Sequence, residues 1–185
     1  MIVSRSWVLV PVLALLTGAG VAAQEGGMAG EPAIEGTYSY VEEGSDDVKE
    51  AIDVAVRQVS WFIRTFARGR LEKTNPLYET VVIERAEGEW TILVDDRKPV
   101  TAPVDGTPVE WEREDGEVFD VTVELQEDGS LLQRFVAEDG ERDNHYVLGP
   151  DGETMSMNVE IRSPKLKEPV RYTWMYERVE EGEGS

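Results

Sequence analysis

Few side chains in this chain carry reactive chemistry, and their types narrow what they can do. His145 is the single histidine among 185 residues and there is no cysteine. No two-histidine ligand set or thiolate site can therefore be built within one chain. His145 is either a lone acid/base residue or one strand position beside Asn144 after a turn. The carboxylate pairs Asp46-Asp47, Asp95-Asp96 and Glu114-Asp115 are neighbours in sequence, but paired acids act in catalysis only when burial splits their pKa values. Adjacent carboxylates in turns stay solvated. None of these turns follows the spacing of a calcium-binding loop. Ser60 and Ser130 stand in no Gly-x-Ser-x-Gly setting, and the sequence has neither Gly-x-Gly-x-x-Gly nor a phosphate loop. No catalytic residue, metal ligand set or cofactor is assigned.

The chemistry that remains is that of contact. Tyr172, Trp174 and Tyr176 alternate along one face of a segment near the end of the chain. Met155, Met157 and Tyr38 are available from other faces if the alternation is read consistently. Large aromatics and adaptable Met side chains suit the lining of an apolar cavity. They equally suit a filled interior. Arg134 lies between Leu132 and Val136, so it projects on an apolar face and offers a fixed cation to an anionic head group. Leu131, Gln133 and Phe135 form the rival face, and in that register Arg134 is a surface charge.

These residues need a frame, and the turns supply it. Glu114-Asp115-Gly116, Glu127-Asp128-Gly129, Glu138-Asp139-Gly140 and Pro150-Asp151-Gly152 recur about every 11 residues, with no room for crossover helices. Strands are expected over 79–85, 89–95, 98–102, 107–113, 118–125, 131–138, 142–148, 154–162 and 170–178. Gly36 to Val41 makes a first short strand. The fold class is mainly β: an up-and-down antiparallel meander of about ten strands closed into a barrel, which removes its own edges. A ten-strand barrel is wide enough to leave space inside.

One amphipathic helix is expected after the first strand, over Asp46–Arg68. Ser45-Asp46-Asp47 supplies its N-cap. Val48, Ile52, Ala55, Val59, Phe62 or Ile63, and Phe66 follow at steps of three and four. Gly69 closes it, with Arg64, Arg68 and Arg70 at its negative end. Asn75-Pro76 is a breaker before the strands resume.

Residues 1–23 read as a signal peptide: Arg5, an apolar run from Trp7 to Leu16, and the small residues Val21-Ala22-Ala23. Pro11, Thr17, Gly18 and Gly20 keep that run short of a spanning helix. Positions 24–35 are a flexible leader, 36–179 a single lipocalin-like barrel domain and 180–185 an acidic tail. Export to the periplasm or the extracellular space follows as the expected localisation. The charge balance is 18 Lys+Arg against 38 Asp+Glu, net −20. Such a surface repels phosphate backbones and anionic lipid, which argues against nucleic acid partners and against membrane association after signal cleavage.

The order of one strand, a helical segment and nine meandering strands resembles the fatty-acid-binding proteins of the calycin group, over roughly Gly36 to Val179. Gly36-Thr37-Tyr38 is similar to the Gly-x-Trp/Tyr opening of these barrels. Tyr172 to Val179 is similar to their final strand, whose Arg-x-Tyr pair faces the ligand carboxylate. Tyr176 matches the tyrosine, and Trp174 stands where the arginine would be. With Gly69-Arg70-Leu71, Asn75-Pro76 and Ser163 to Val170, the segment also resembles exported lipocalin-like proteins of bacteria. The resemblance implies a non-enzymatic binding protein for a small hydrophobic or amphipathic ligand. An envelope interaction domain is the alternative. A barrel isomerase or hydratase using His145 or a buried tyrosine is a third.

Overall fold

A computed structural model describes residues 33–180. The expected signal peptide at 1–23, positions 24–32 of the leader and 181–185 of the tail lie outside the described residues. The chain runs as β1 (Gly36–Val41), α1 (Val48–Val56), α2 (Trp61–Thr74), β2 (Thr80–Ala86), β3 (Glu89–Val94), β4 (Val100–Pro103), β5 (Val109–Glu112), β6 (Val118–Leu125), β7 (Leu131–Ala137), β8 (Gly140–Leu148), β9 (Thr154–Arg162) and β10 (Val170–Arg178). The acidic turns work because their glycines take the left-handed region that side-chain-bearing residues avoid: φ is 84° at Gly116 and 82° at Gly129.

All ten strands form one antiparallel sheet in the order β4-β3-β2-β1-β10-β9-β8-β7-β6-β5. The first strand therefore lies between the second and the last, with Tyr38 opposite Val81 on one side and Tyr40 opposite Tyr176 on the other. Arg178 ties the two ends of the fold together. It donates to the carbonyls of Ala33 (2.8 Å), Glu35 (2.6 Å) and Gly152 (2.9 Å) and to the Tyr38 hydroxyl (2.7 Å).

The expected closure is nearly but not wholly reached. Strands β4 and β5 are the two ends of the sheet and no ladder joins them among the described residues. Side chains span the gap: Trp111 Nε1 donates to the Pro99 carbonyl at 3.0 Å and Lys98 Nζ to the Glu112 carbonyl at 3.2 Å. Both edge strands have only four residues, which limits how much unpaired backbone they offer.

The expected single helix is two. Asp47 is the cap, its carboxylate accepting from the Lys49 amide at 2.8 Å, while Asp46 bonds Thr173 on β10 instead. The apolar stripe through Ile52, Ala55, Val56 and Val59 is buried. It holds α1 on the barrel. The chain then turns out of helix at Ser60, with ψ at 144°, and Arg64 satisfies the freed carbonyls of Arg57 (2.8 Å) and Val59 (3.2 Å). Phe62, Ile63 and Phe66 thus belong to a new axis and are exposed rather than buried. Gly69 does not close the helix but sits within α2. The stop falls at Asn75, whose amide donates to the Leu71 carbonyl at 2.8 Å, followed by Pro76, which cannot donate.

Inside the barrel, Met155, Met157 and Val159 of β9 and Val170, Tyr172, Trp174 and Tyr176 of β10 are buried in strict alternation. On β7 the rival register is the one adopted. Leu131 faces Tyr146 and Gln133 faces Asn144 within the barrel, whereas Arg134 pairs with Asp143 on the outside. Arg134 is therefore a surface cation, bonded to Asp143 at 2.8 Å. It offers nothing to the interior.

Candidate binding cavity

Between α2 and the inner walls of β3 to β9 lies a cavity of about 570 Å³. Its walls are mostly apolar, with charged side chains such as Arg97, Arg113, Glu117 and Arg162 also on its boundary. Ile92, Val94 and Val100 line one side, and Trp111, Phe119 and Phe135 the other, packed edge-on or tilted at 5.7–6.1 Å between ring centroids. Ile63, Phe66, Ala67 and Leu71 of α2 face it from the mouth. Phe66 nonetheless stays 73% exposed, so the helix stands over the opening without sealing it.

The buried polar side chains of the cavity, Asn75, Gln133 and Asn144, converge on Arg142, whereas Arg70, Arg113, Arg162 and Lys165 on the same boundary are paired with carboxylates. Strand β8 alternates Arg142, Asn144 and Tyr146 inward, the same face that meets Leu131 and Gln133. Arg142 Nη1 donates to Asn75 Oδ1 at 2.6 Å and Nε to Asn144 Oδ1 at 2.7 Å. The amide of Asn144 and the hydroxyl of Tyr146 both donate to Gln133 Oε1, each at 3.0 Å. The guanidinium carbon lies 5.5 Å from the centre of the Tyr78 ring. Two of the three guanidinium nitrogens of Arg142 thereby have an acceptor. Arg142 Nη2 is buried and has no partner among the described residues, and no described carboxylate forms an ion pair with this guanidinium. Burial disfavours its charge, yet the oxygens of Tyr172, Tyr78, Tyr146 and Tyr176 more than offset that, so its pKa stands above the ordinary arginine value. The cavity holds a fixed positive charge with one unused N–H edge.

Burial pushes the Tyr172 hydroxyl up to about 12 against the opposing pull of Arg142, and it raises Tyr146 and Tyr176 as well. At neutral pH these hydroxyls are protonated. They donate hydrogen bonds and do not act as bases.

The six inward residues singled out in sequence are buried but do not line the cavity. Tyr38, Met155, Met157, Tyr172, Trp174 and Tyr176 fill the other half of the barrel. Tyr38 donates to the Ile34 carbonyl at 2.8 Å, Tyr176 to the Tyr78 carbonyl at 3.1 Å, and Trp174 packs edge-on against Tyr78. Tyr172 alone reaches the cavity's polar group, through a 3.4 Å contact with Asn75 Oδ1. The inward cation is Arg142 rather than Arg134. The alternation of Arg142, Asn144 and Tyr146 pointed to it, and its polar company disguised it as a solvent face.

His145 is on the opposite face of β8 from Arg142, with Nε2 2.7 Å from Ser130 Oγ. Ser130 gives its hydroxyl proton to Asp128, so His145 does not activate it. The two residues sit in a shallow surface depression with Leu132, away from the cavity.

No protein-family model matches the sequence, and no curated sequence is significantly similar to it. Solved structures do match. A fatty acid transporter, REP1-NXSQ, superposes with a TM-score of 0.51 at 14% identity over 78% of this chain and 95% of its own. Lipid binding protein 8 of Caenorhabditis elegans gives 0.51 at 12% identity, over 78% of this chain and 94% of its own. The fatty acid binding protein of Schistosoma mansoni, in complex with arachidonic acid, gives 0.50 at 18%, over 78% and 95%. The likeness is one of fold: like them, the chain is a nearly closed ten-strand antiparallel barrel.

Proposed function

We propose that this barrel carries a small amphipathic molecule with a single anionic head, its apolar body between Trp111, Phe119, Phe135 and α2 and its head on Arg142. The observation that supports this is the buried, partnerless Nη2 of Arg142 in an apolar cavity of about 570 Å³. A desolvated guanidinium edge left unmatched is costly, and a carboxylate accepting from it removes that cost. The structural neighbours, among them a fatty acid transporter and a binding protein holding arachidonic acid, favour the same ligand class. Tyr172, Trp174, Tyr176, Met155, Met157 and Tyr38 act in this reading as the rigid half of the barrel on which Asn75, and through it Arg142, is set. The role is transport or storage rather than catalysis, because the buried tyrosines are poor bases and His145 stands outside the cavity. The leader-like residues 1–23 support export, with the periplasm or the extracellular space as the working compartment.

Calorimetric titration with a long-chain fatty acid and with its methyl ester tests the assignment. The acid should bind more tightly, and Arg142→Met should cost it roughly tenfold to a hundredfold, the worth of a charged hydrogen bond. The ester should bind the variant and the native protein alike. Equal loss of both ligands, or no loss of either, removes Arg142 from the site.

A further inference from the structure

Gln133 is 2% exposed, stands on the cavity wall and uses only half of its amide. Its Oε1 accepts from Asn144 and from Tyr146, and its Nε2 donates to nothing among the described residues. This orientation is forced. A guanidinium carries donors only, so Arg142 Nε obliges Asn144 to turn its Oδ1 toward it. Asn144 Nδ2 must then donate onward, and the atom that receives it on Gln133 has to be the carbonyl oxygen. The Tyr146 hydroxyl, kept protonated by burial, adds a second donor to the same oxygen. The NH2 of Gln133 is the part left over, at the cavity wall.

A structural role accounts for the oxygen and not for the nitrogen. An inward amide NH2 without an acceptor carries a desolvation cost of its own. In this Gln133 matches Arg142, whose Nη2 is likewise buried and unpartnered. The two stand on adjacent strands of one wall. Gln133 is directly opposite Asn144, so Arg142, two positions along β8, is its diagonal neighbour, roughly 7–8 Å away at the backbone. Asn144 lies between the two side chains and is bonded to each, which holds their free donors apart, so that one head group does not serve both. The second donor is neutral, and an uncharged oxygen satisfies it without burying another charge.

We propose that Gln133 Nε2 is a second ligand subsite and that the ligand is an oxygenated fatty acid, an anionic amphipath whose chain bears a keto or hydroxyl oxygen. The charge of that ligand rests on the reading of Arg142 above; the oxygen rests on Gln133 alone. Trp111, Phe119 and Phe135 take the unsubstituted carbons. A plain chain laid across Gln133 leaves its NH2 buried and unmatched, and a site built to bond an oxygen discriminates against the analogue that lacks it.

Calorimetric titration of the full chain with stearic acid and with keto-stearic acids bearing the carbonyl at successive carbons tests this, each ligand also run as its methyl ester. The native protein should favour keto over plain chains roughly threefold to tenfold, the worth of one neutral hydrogen bond, and only over a short stretch of carbonyl positions. The esters should show the same preference, because it does not pass through Arg142. Gln133→Glu keeps an oxygen for Asn144 and Tyr146 while removing the donor, and should abolish the preference; a melting curve shows that the variant is folded. The ester pair is the readout there, since a new carboxylate near Arg142 weakens acids for a separate reason. Three results overturn the subsite: no carbonyl position gains affinity in the native protein, the gain is confined to the acids, or folded Gln133→Glu retains it. The first needs no variant. Acids and esters bound alike, with the keto preference intact, would remove the head site at Arg142 and leave the Gln133 subsite standing. No binding of any of these ligands removes both.

Discussion

Two arginines eight positions apart in neighbouring strands have opposite fates. Arg134 and Asp143 form a cross-strand pair in water, whereas Arg142, one residue before Asp143, points inward. Arg134→Met should cost at most about 1 kcal/mol, as exposed pairs do, and leave the proposed binding of a fatty acid untouched; urea unfolding and calorimetry check both. Asp143 itself would be raised by its partial burial, but hydrogen bonds from Arg134 and Arg162 hold it below the usual carboxylate value. Arg113 holds Asp115 down at about 2. A depressed folded-state pKa adds stability that is complete above the unfolded value of about 3.9 and disappears as pH falls through the folded one. Melting temperature should therefore hold steady down to about pH 4 and decline from there toward about pH 2. Asp143→Asn should flatten that decline more than Asp115→Asn, because Asp115 is largely in solvent and screened. At this scale the sequence was legible only where one face is purely apolar. Met155, Met157, Tyr172, Trp174 and Tyr176 fell on the correct side, but Gln133, Arg142 and Asn144 form an inward polar cluster that reads as surface, while Leu132 and Val136 face outward.

Among the elements, α2 is the least anchored. None of its residues is buried, and its N-cap, Ser60, makes no side-chain capping bond. Local opening should be easiest here. Gly69 lies within the helix with nothing inside 4 Å of where a Cβ would stand and with no left-handed φ. Gly69→Ala should then stabilise the helix by about 0.5–1 kcal/mol. Hydrogen exchange would show slower α2 amides, and, on the proposed function, stopped-flow mixing a slower release of a fatty acid from the cavity. The helical segment was foreseeable from its stripe, and its division was not. The spacing continues unbroken past Val59, and only Ser60, flanked by β-branched Val54, Val56 and Val59, hints that the helix is weak there. Turn chemistry made the hairpins plain, down to identical bounds for β6, β9 and β10.

For the molecule as a whole, the half of the barrel that is filled bears the stability and the half that is hollow bears the proposed site. Trp174 is 1% exposed and touches both Tyr78 and Tyr172. Trp174→Ala should cost about 3–5 kcal/mol, a large share of the 5–15 kcal/mol typical of a protein this size. Trp61→Ala, on the open face of α2, should stay within about 0.5 kcal/mol. Denaturant titrations separate the two. The ten-strand meander was legible because each turn announces itself. The gap between β4 and β5 was not, since an edge is defined by the missing partner and not by anything in its own residues.

The place of β1 between β2 and β10 also governs when the fold can exist. Its ladder to β2 joins segments close in sequence, but its ladder to β10 waits for a strand more than 120 residues further on. Until residues 170–178 emerge there is no ring, only a growing ribbon with β1 unpaired on one side and Arg178 not yet present to join the ends. The two faces of β1 are therefore satisfied at different times, and the core of the barrel waits for β10 to be complete.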